Sequence, residues 1–154
     1  MDFSAIDAKR AKSAERKNKR AEKAVKVLKL SRKSAVKKAD NLFSVLIRRR
    51  DIQRFLGRCP FDCTKPIDCC FHFVTRAKYS VRWDTRNAVG ACSGHNFRYE
   101  FDPHFGIQWY LKTFGQEAYD TLIRDGNTIR KWSTSDLIDL CKDFERRISA
   151  GNYA

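Results

Sequence analysis

The sequence predicts an α+β fold: a short β-hairpin and a following helix, stapled by clustered soft side chains, with a long basic helical arm before them and more helices after. Three observations predict it. Residues 4–50 contain no glycine or proline and are rich in Ala, Lys, Arg, Glu and Leu, a composition of high helix propensity. Five of the six cysteines and two of the three histidines then crowd into residues 59–96. Within that stretch, residues 69–75 form an aromatic and β-branched run of strand type.

The arm comes first. Residues 1–50 hold 17 Lys/Arg against 5 Asp/Glu, or +12 of the total +14, so the remainder is close to neutral. Such a block is drawn to a polyanion by counterion release, which points to nucleic acid. A membrane surface is disfavoured, because the segment lacks the bulky apolar stripe of an interfacial helix. Ala21, Ala24, Val25 and Leu28 recur at helical spacing, but this stripe is narrow and packs weakly. A stronger apolar face, Leu42, Phe43, Val45, Leu46 and Ile47, appears just before Arg48, Arg49 and Arg50 and is expected to dock on the rest of the chain. Pairing of two arms as a coiled coil would give a homodimer, although the alanine stripe is too weak to require it.

There is no run of eighteen apolar residues and no hydrophobic stretch near the N-terminus, so a cytoplasmic protein is expected, with no membrane span. In that compartment clustered cysteines favour a metal over disulfides. The length and the 42% hydrophobic content suit one core. The expected divisions are a basic helical arm (1–50), a stapled core (51–125) and a C-terminal helix packed on it (126–154).

Gly57, Pro60 and Pro66 break the helical character, and strands are expected at 68–75 and 87–91. The loop between them carries Arg76, Lys78, Arg82 and Arg86. Trp83 in that loop is either core or a wedge for an exposed base. Helical signals then return. Asp102–Pro103 is a helix start and Gly115 a stop; a second helix over 116–124 stops near Gly126. Ser133 with Asp136, or the neighbouring Ser135, opens a last helix to about Ile148. Cys141 falls on its apolar side, and His104 is expected at the surface.

Cys59 with Cys63, and Cys92 with His95, have the spacing of two zinc knuckles closing one tetrahedral structural Zn2+ site. Side chains alternate along a strand, so Asp68, Cys70 and His72 share one face while Cys69, Phe71 and Phe73 share the other. A metal-assisted hydrolytic site needs a base near neutral pKa, a hard cation and a group that fixes the base. His72 suits the first role. Asn87 offers its amide to the imidazole, braces the loop backbone, or is a turn residue. Asn96, in the turn after the second knuckle, is a metal ligand or a helix cap.

The series LFSVLIRRRD, C-x3-C, CFHFVTR, RWDTRN and C-x2-HN, followed by a helical W…G…Y…L stretch, resembles the phage NinG (Rap) family of recombination nucleases within the HNH, or ββα-metal, superfamily. The likeness covers roughly residues 40–125. It implies a zinc-stapled HNH-like core and a phage-encoded DNA endonuclease that acts on branched recombination or replication intermediates in the host cytoplasm. On this chain the motif histidine is His72, the middle asparagine Asn87 and the last position Asn96. The catalytic ion would be Mg2+ or Mn2+, held by Asp68 and Asn96. Asp68 stands in for a ligand that many HNH enzymes place immediately before the base, where this chain has Phe71. The first knuckle is one residue longer than the family's usual one, and His95 replaces a cysteine. Arg48, Arg49, Arg50, Arg76, Lys78, Arg82 and Arg86 are the expected DNA-backbone contacts. The rival expectation is a noncatalytic zinc-stapled DNA-binding accessory protein.

Overall fold

The computed structural model describes residues 12–17, 19 and 31–153. Most of the predicted arm, including its alanine stripe, lies outside the described residues. The first long helix, α1 (Arg32–Arg54), begins at Ser31, whose hydroxyl accepts the Ser34 amide at 3.2 Å as an N-cap. Its buried residues Ala35, Ala39, Phe43, Leu46, Ile47 and Asp51 recur every three or four positions and make one continuous stripe. The helix stops where Leu56 and Gly57 both turn left-handed, at φ of 52° and 77°.

A mixed architecture of helices around one small sheet follows. Strands β1 (Cys69–His72) and β2 (Ala88–Ala91) pair antiparallel, with Cys69 opposite Ala91 and His72 opposite Ala88. Backbone bonds from Asp68 to Ala91 and from Phe73 to Asn87 extend the ladder by one step at each end. The expected first strand is therefore shorter than its apolar run. It bends after Phe73 because Asn87 captures the Val74 backbone.

Helices α2 (Ser93–Arg98), α3 (His104–Phe114), α4 (Gln116–Gly126) and α5 (Thr134–Ser149) complete the chain. Gly115, at φ 86°, separates α3 from α4 as its sequence position suggested. Ser133 and Asp136 form a reciprocal capping box at the start of α5.

The hairpin is buried on both sides. Phe71, Phe73, Val89 and Ala91 join Phe61, Tyr110 and Leu122 in a core covered by α3 and α4. Ala88 and Trp83 join Phe43, Leu46, Leu137, Cys141 and Phe144 in a second core between α1 and α5, with Cys70 packed against it. Strand alternation thus sorts Cys70 from Phe71 and Phe73, as expected. Trp83 is core: its indole Nε1 donates to Asp40 at 2.9 Å.

One boundary moves. The division at residue 50 falls inside α1, which is a wall of the packed body. Ala35 and Ala39 are small enough for α5 to approach closely, bringing the Cys141 thiol to 3.9 Å from the Ala35 carbonyl. Neither alanine stands out in the sequence, because a small residue contributes little apolar area by itself, yet permits its neighbours to bury theirs.

Candidate metal centre and adjoining cavity

The first knuckle is a tight loop closed by the Arg58–Pro66 bridge and by backbone bonds from Cys59 to Lys65 and from Ile67 to Gly57. Cys92 is the residue preceding α2, and His95 lies in that helix's first turn. Hairpin, knuckle and helix bring the four donors together, all within 4.8 Å of one another. His95 Nδ1 is 3.6 Å from Cys59 Sγ, 3.6 Å from Cys63 Sγ and 3.3 Å from Cys92 Sγ, and Cys63 and Cys92 sulfurs are 3.8 Å apart. Zinc bond lengths put tetrahedral edges at about 3.7 Å for S–S and about 3.5 Å for S–N. The donor set therefore fits an ion of that size and geometry. Burial pushes the Cys59 thiol up to about 12, and a divalent cation there would supply the charge that makes it a ligand.

Beside this cluster opens a cavity of about 600 Å³ whose lining includes Arg48, Asp68, Cys70, His72, Arg76 and Asn96. The face predicted for Asp68, Cys70 and His72 thus borders one space, together with Asn96. Asp68 is exposed, and its carboxylate accepts from the Ser93 hydroxyl at 3.0 Å. Phe71 is fully buried in the opposite core and is turned away from this space. Glu100, four residues after Asn96, also lines the cavity. Residue 100 falls between the C-x2-HN motif and the W…G…Y…L stretch, so no motif singled it out.

His72 Nε2 lies 3.3 Å from the Arg82 carbonyl. A carbonyl only accepts, so the Arg82 contact is a hydrogen bond in the tautomer that carries its proton on Nε2, which leaves the lone pair on Nδ1. Burial, then the nearby Arg76 charge, lowers the imidazole to about 4, while the Arg82 carbonyl, the Asp40 carboxylate and the Cys70 carbonyl pull the other way. The ring is therefore neutral at pH 7, and its pKa lies well below the near-neutral one expected of the base, because the hairpin and loop bury it.

Asn87 does not bond the imidazole; it braces the loop. Fully buried, it accepts the Val74 amide at 2.7 Å and donates to the Val74 and Val81 carbonyls, each at 3.0 Å. The two ends of the loop that holds His72 are locked together by this one side chain. Cys69 and Cys70 stay outside the four-donor cluster, and Cys141 and exposed His104 lie where the sequence suggested.

The basic residues divide into two groups. Arg48, Arg49 and Arg76 form no ion pair among the described residues. Lys78 donates to Asn127 and remains exposed. Arg50 and Arg82 require correction as DNA contacts, because their donors are used internally. Arg50 grips the Asp51 carboxylate through two bonds of 2.8 Å and also reaches the Thr85 and Ala88 carbonyls. Arg82 is bidentate to Asp40 at 2.9 and 2.7 Å and bonds the Arg76 carbonyl. Arg86 is exposed but shared between Asp84 and Asp125.

No helix among the described residues is long and apolar enough to cross a membrane. Comparison of the chain with protein-family models, with curated proteins and with solved structures gives no match in any of the three.

Proposed function

We propose that this chain is a divalent-metal-dependent DNA endonuclease of HNH type, with structural zinc at Cys59, Cys63, Cys92 and His95. The observation that carries the reading is the convergence of His72, Asp68 and Asn96 on one cavity whose wall also bears Arg48 and Arg76. The likeness to NinG-type nucleases supports it, and is the sole ground for naming branched DNA, a phage origin and the host cytoplasm.

In this reading His72 acts as general base through Nδ1. It removes a proton from water as the water oxygen attacks phosphorus; the bond to the 3′ oxygen breaks, and the ring holds the proton afterwards. The Arg82 carbonyl keeps the required tautomer. Asp40, by gripping Arg82, keeps that carbonyl in place. Arg48 and Arg76 position backbone phosphates without reading sequence. Magnesium or manganese held by Asp68 and Asn96 would supply charge stabilisation at the scissile phosphate and leaving oxygen.

Labelled duplex, single-stranded and four-way DNA, incubated with zinc-loaded protein and magnesium or manganese, test this directly. Cleavage by wild type is expected, with a fall of about 10²–10⁴ for His72→Ala at unchanged zinc content and binding. A second reading is favoured by one observation: Phe71, buried at the position before the base, offers no ligand. On that reading the chain is a noncatalytic zinc-stapled DNA-binding protein, and wild type binds all three substrates without cutting any.

A further inference from the structure

Phe97 and Phe101 are 64% and 73% exposed, with their rings 5.2 Å apart in an edge contact. Of the exposed large hydrophobics among the described residues, only these two touch each other as rings. A mutually supported apolar patch on the surface marks a place where something docks. Each phenylalanine directly follows a cavity-lining residue, Asn96 or Glu100; Phe97 lies in α2 and Phe101 in the turn just after it.

The support beneath the pair is stiff. His95 ties α2 to the four-donor cluster. Tyr99, between the two phenylalanines, donates its hydroxyl to the Phe73 carbonyl at 2.9 Å and sets its ring 4.6 Å from Phe71. A preordered aromatic surface loses little freedom on binding. Arg48 and Arg76 on the adjoining cavity have no ion pair among the described residues, and Asp102, beside Phe101, is neutralised by Arg98; Asp68 and Glu100 line the same cavity, so the attraction for a polyanion comes from the net +14 of the chain. Flat apolar faces on a polycationic chain, beside guanidinium groups that no carboxylate holds, match an unstacked base with its phosphates.

We infer that Phe97 and Phe101 form a stacking platform for nucleobases lying outside a duplex, guiding an unpaired strand toward the His72 cavity; this rests on the nuclease reading above. The test uses full-length, zinc-loaded protein without added magnesium or manganese, so that binding is read apart from cleavage. Affinity is measured for a blunt duplex and for the same duplex with a single-stranded tail carrying 2-aminopurine. Wild type is expected to prefer the tailed DNA and to change the probe's fluorescence. Phe97→Ala/Phe101→Ala should weaken tailed binding about tenfold or more, abolish the fluorescence change and leave blunt-duplex binding intact. Phe97→Trp/Phe101→Trp should retain the preference.

Equal affinities of the alanine variant and wild type for tailed DNA would overturn the inference. So would a wild-type dimer in sedimentation that the alanine pair converts to monomer, which assigns the patch to a second copy. Failure of the nuclease reading shows separately, as no cleavage once magnesium or manganese is added.

Discussion

His72 is held neutral by its surroundings, and this has two consequences at the scale of single residues. With zinc bound, an NMR titration should place its ring at about 4 and show no transition near the ordinary 6.5; a midpoint at or above 6.5 would contradict the burial described here. The sign for stability follows from the lowered value. The unfolded chain takes up the proton first, so the contribution is fully present above about 6.5 and is lost as pH falls toward about 4. His72, Asp68 and Asn96 were legible in the sequence because strand alternation and motif order place them on one side. The role of Asn87 was not: its choice among imidazole, loop and turn depended on where the Val74 and Val81 backbone came to lie. Asp40 was missed altogether, since nothing local links it to Arg82 across 42 residues of chain.

Between elements, the sheet is clamped to α1 by Asp51. Its carboxylate, fully buried, accepts from Arg50 and from the Gly90 amide at 2.6 Å. A Cβ on Gly90 would meet Ile67 at 2.9 Å and the Asp51 Cβ at 3.0 Å, so glycine there permits helix and strand to touch. Asp51→Ala strands the Arg50 charge and should destabilise by about 3–5 kcal/mol. Gly90→Ala, an overpacking change, should cost about 1–3 kcal/mol. Urea unfolding of the metal-loaded protein measures both. The four-donor cluster is the second clamp. Cys63→Ser should lower metal content and the melting temperature together, whereas Cys141→Ser should leave metal content unchanged. The knuckles could be recognised in advance because ligand spacing is local. The α1–β2 clamp could not, because the sequence shows Arg48–Asp51 simply as a charged run.

For the whole molecule, the proposed binding to DNA should be strongly salt-dependent, given +14 at pH 7. Arg48→Ala and Arg76→Ala should each flatten the slope of log affinity against log salt by about one. Arg82→Ala should instead lower the melting temperature, since that guanidinium braces the loop from within; a slope change without destabilisation would return it to the DNA surface. The basic block and the α+β composition were plain from the sequence. The division of its arginines into those with and without a carboxylate partner was hidden, because Arg82 finds Asp40 and Arg86 finds Asp125 only on folding, and Arg50 turns inward only where Thr85 and Ala88 come to meet it. The most direct measurement of the central claim, a catalytic ion beside His72, is manganese-induced line broadening in the zinc-loaded protein. Substoichiometric Mn2+ should broaden the resonances of Asp68, His72 and Asn96 and spare those around Cys141. Broadening scattered over surface carboxylates, or none at all, would contradict the account and leave a DNA-binding protein without a catalytic metal.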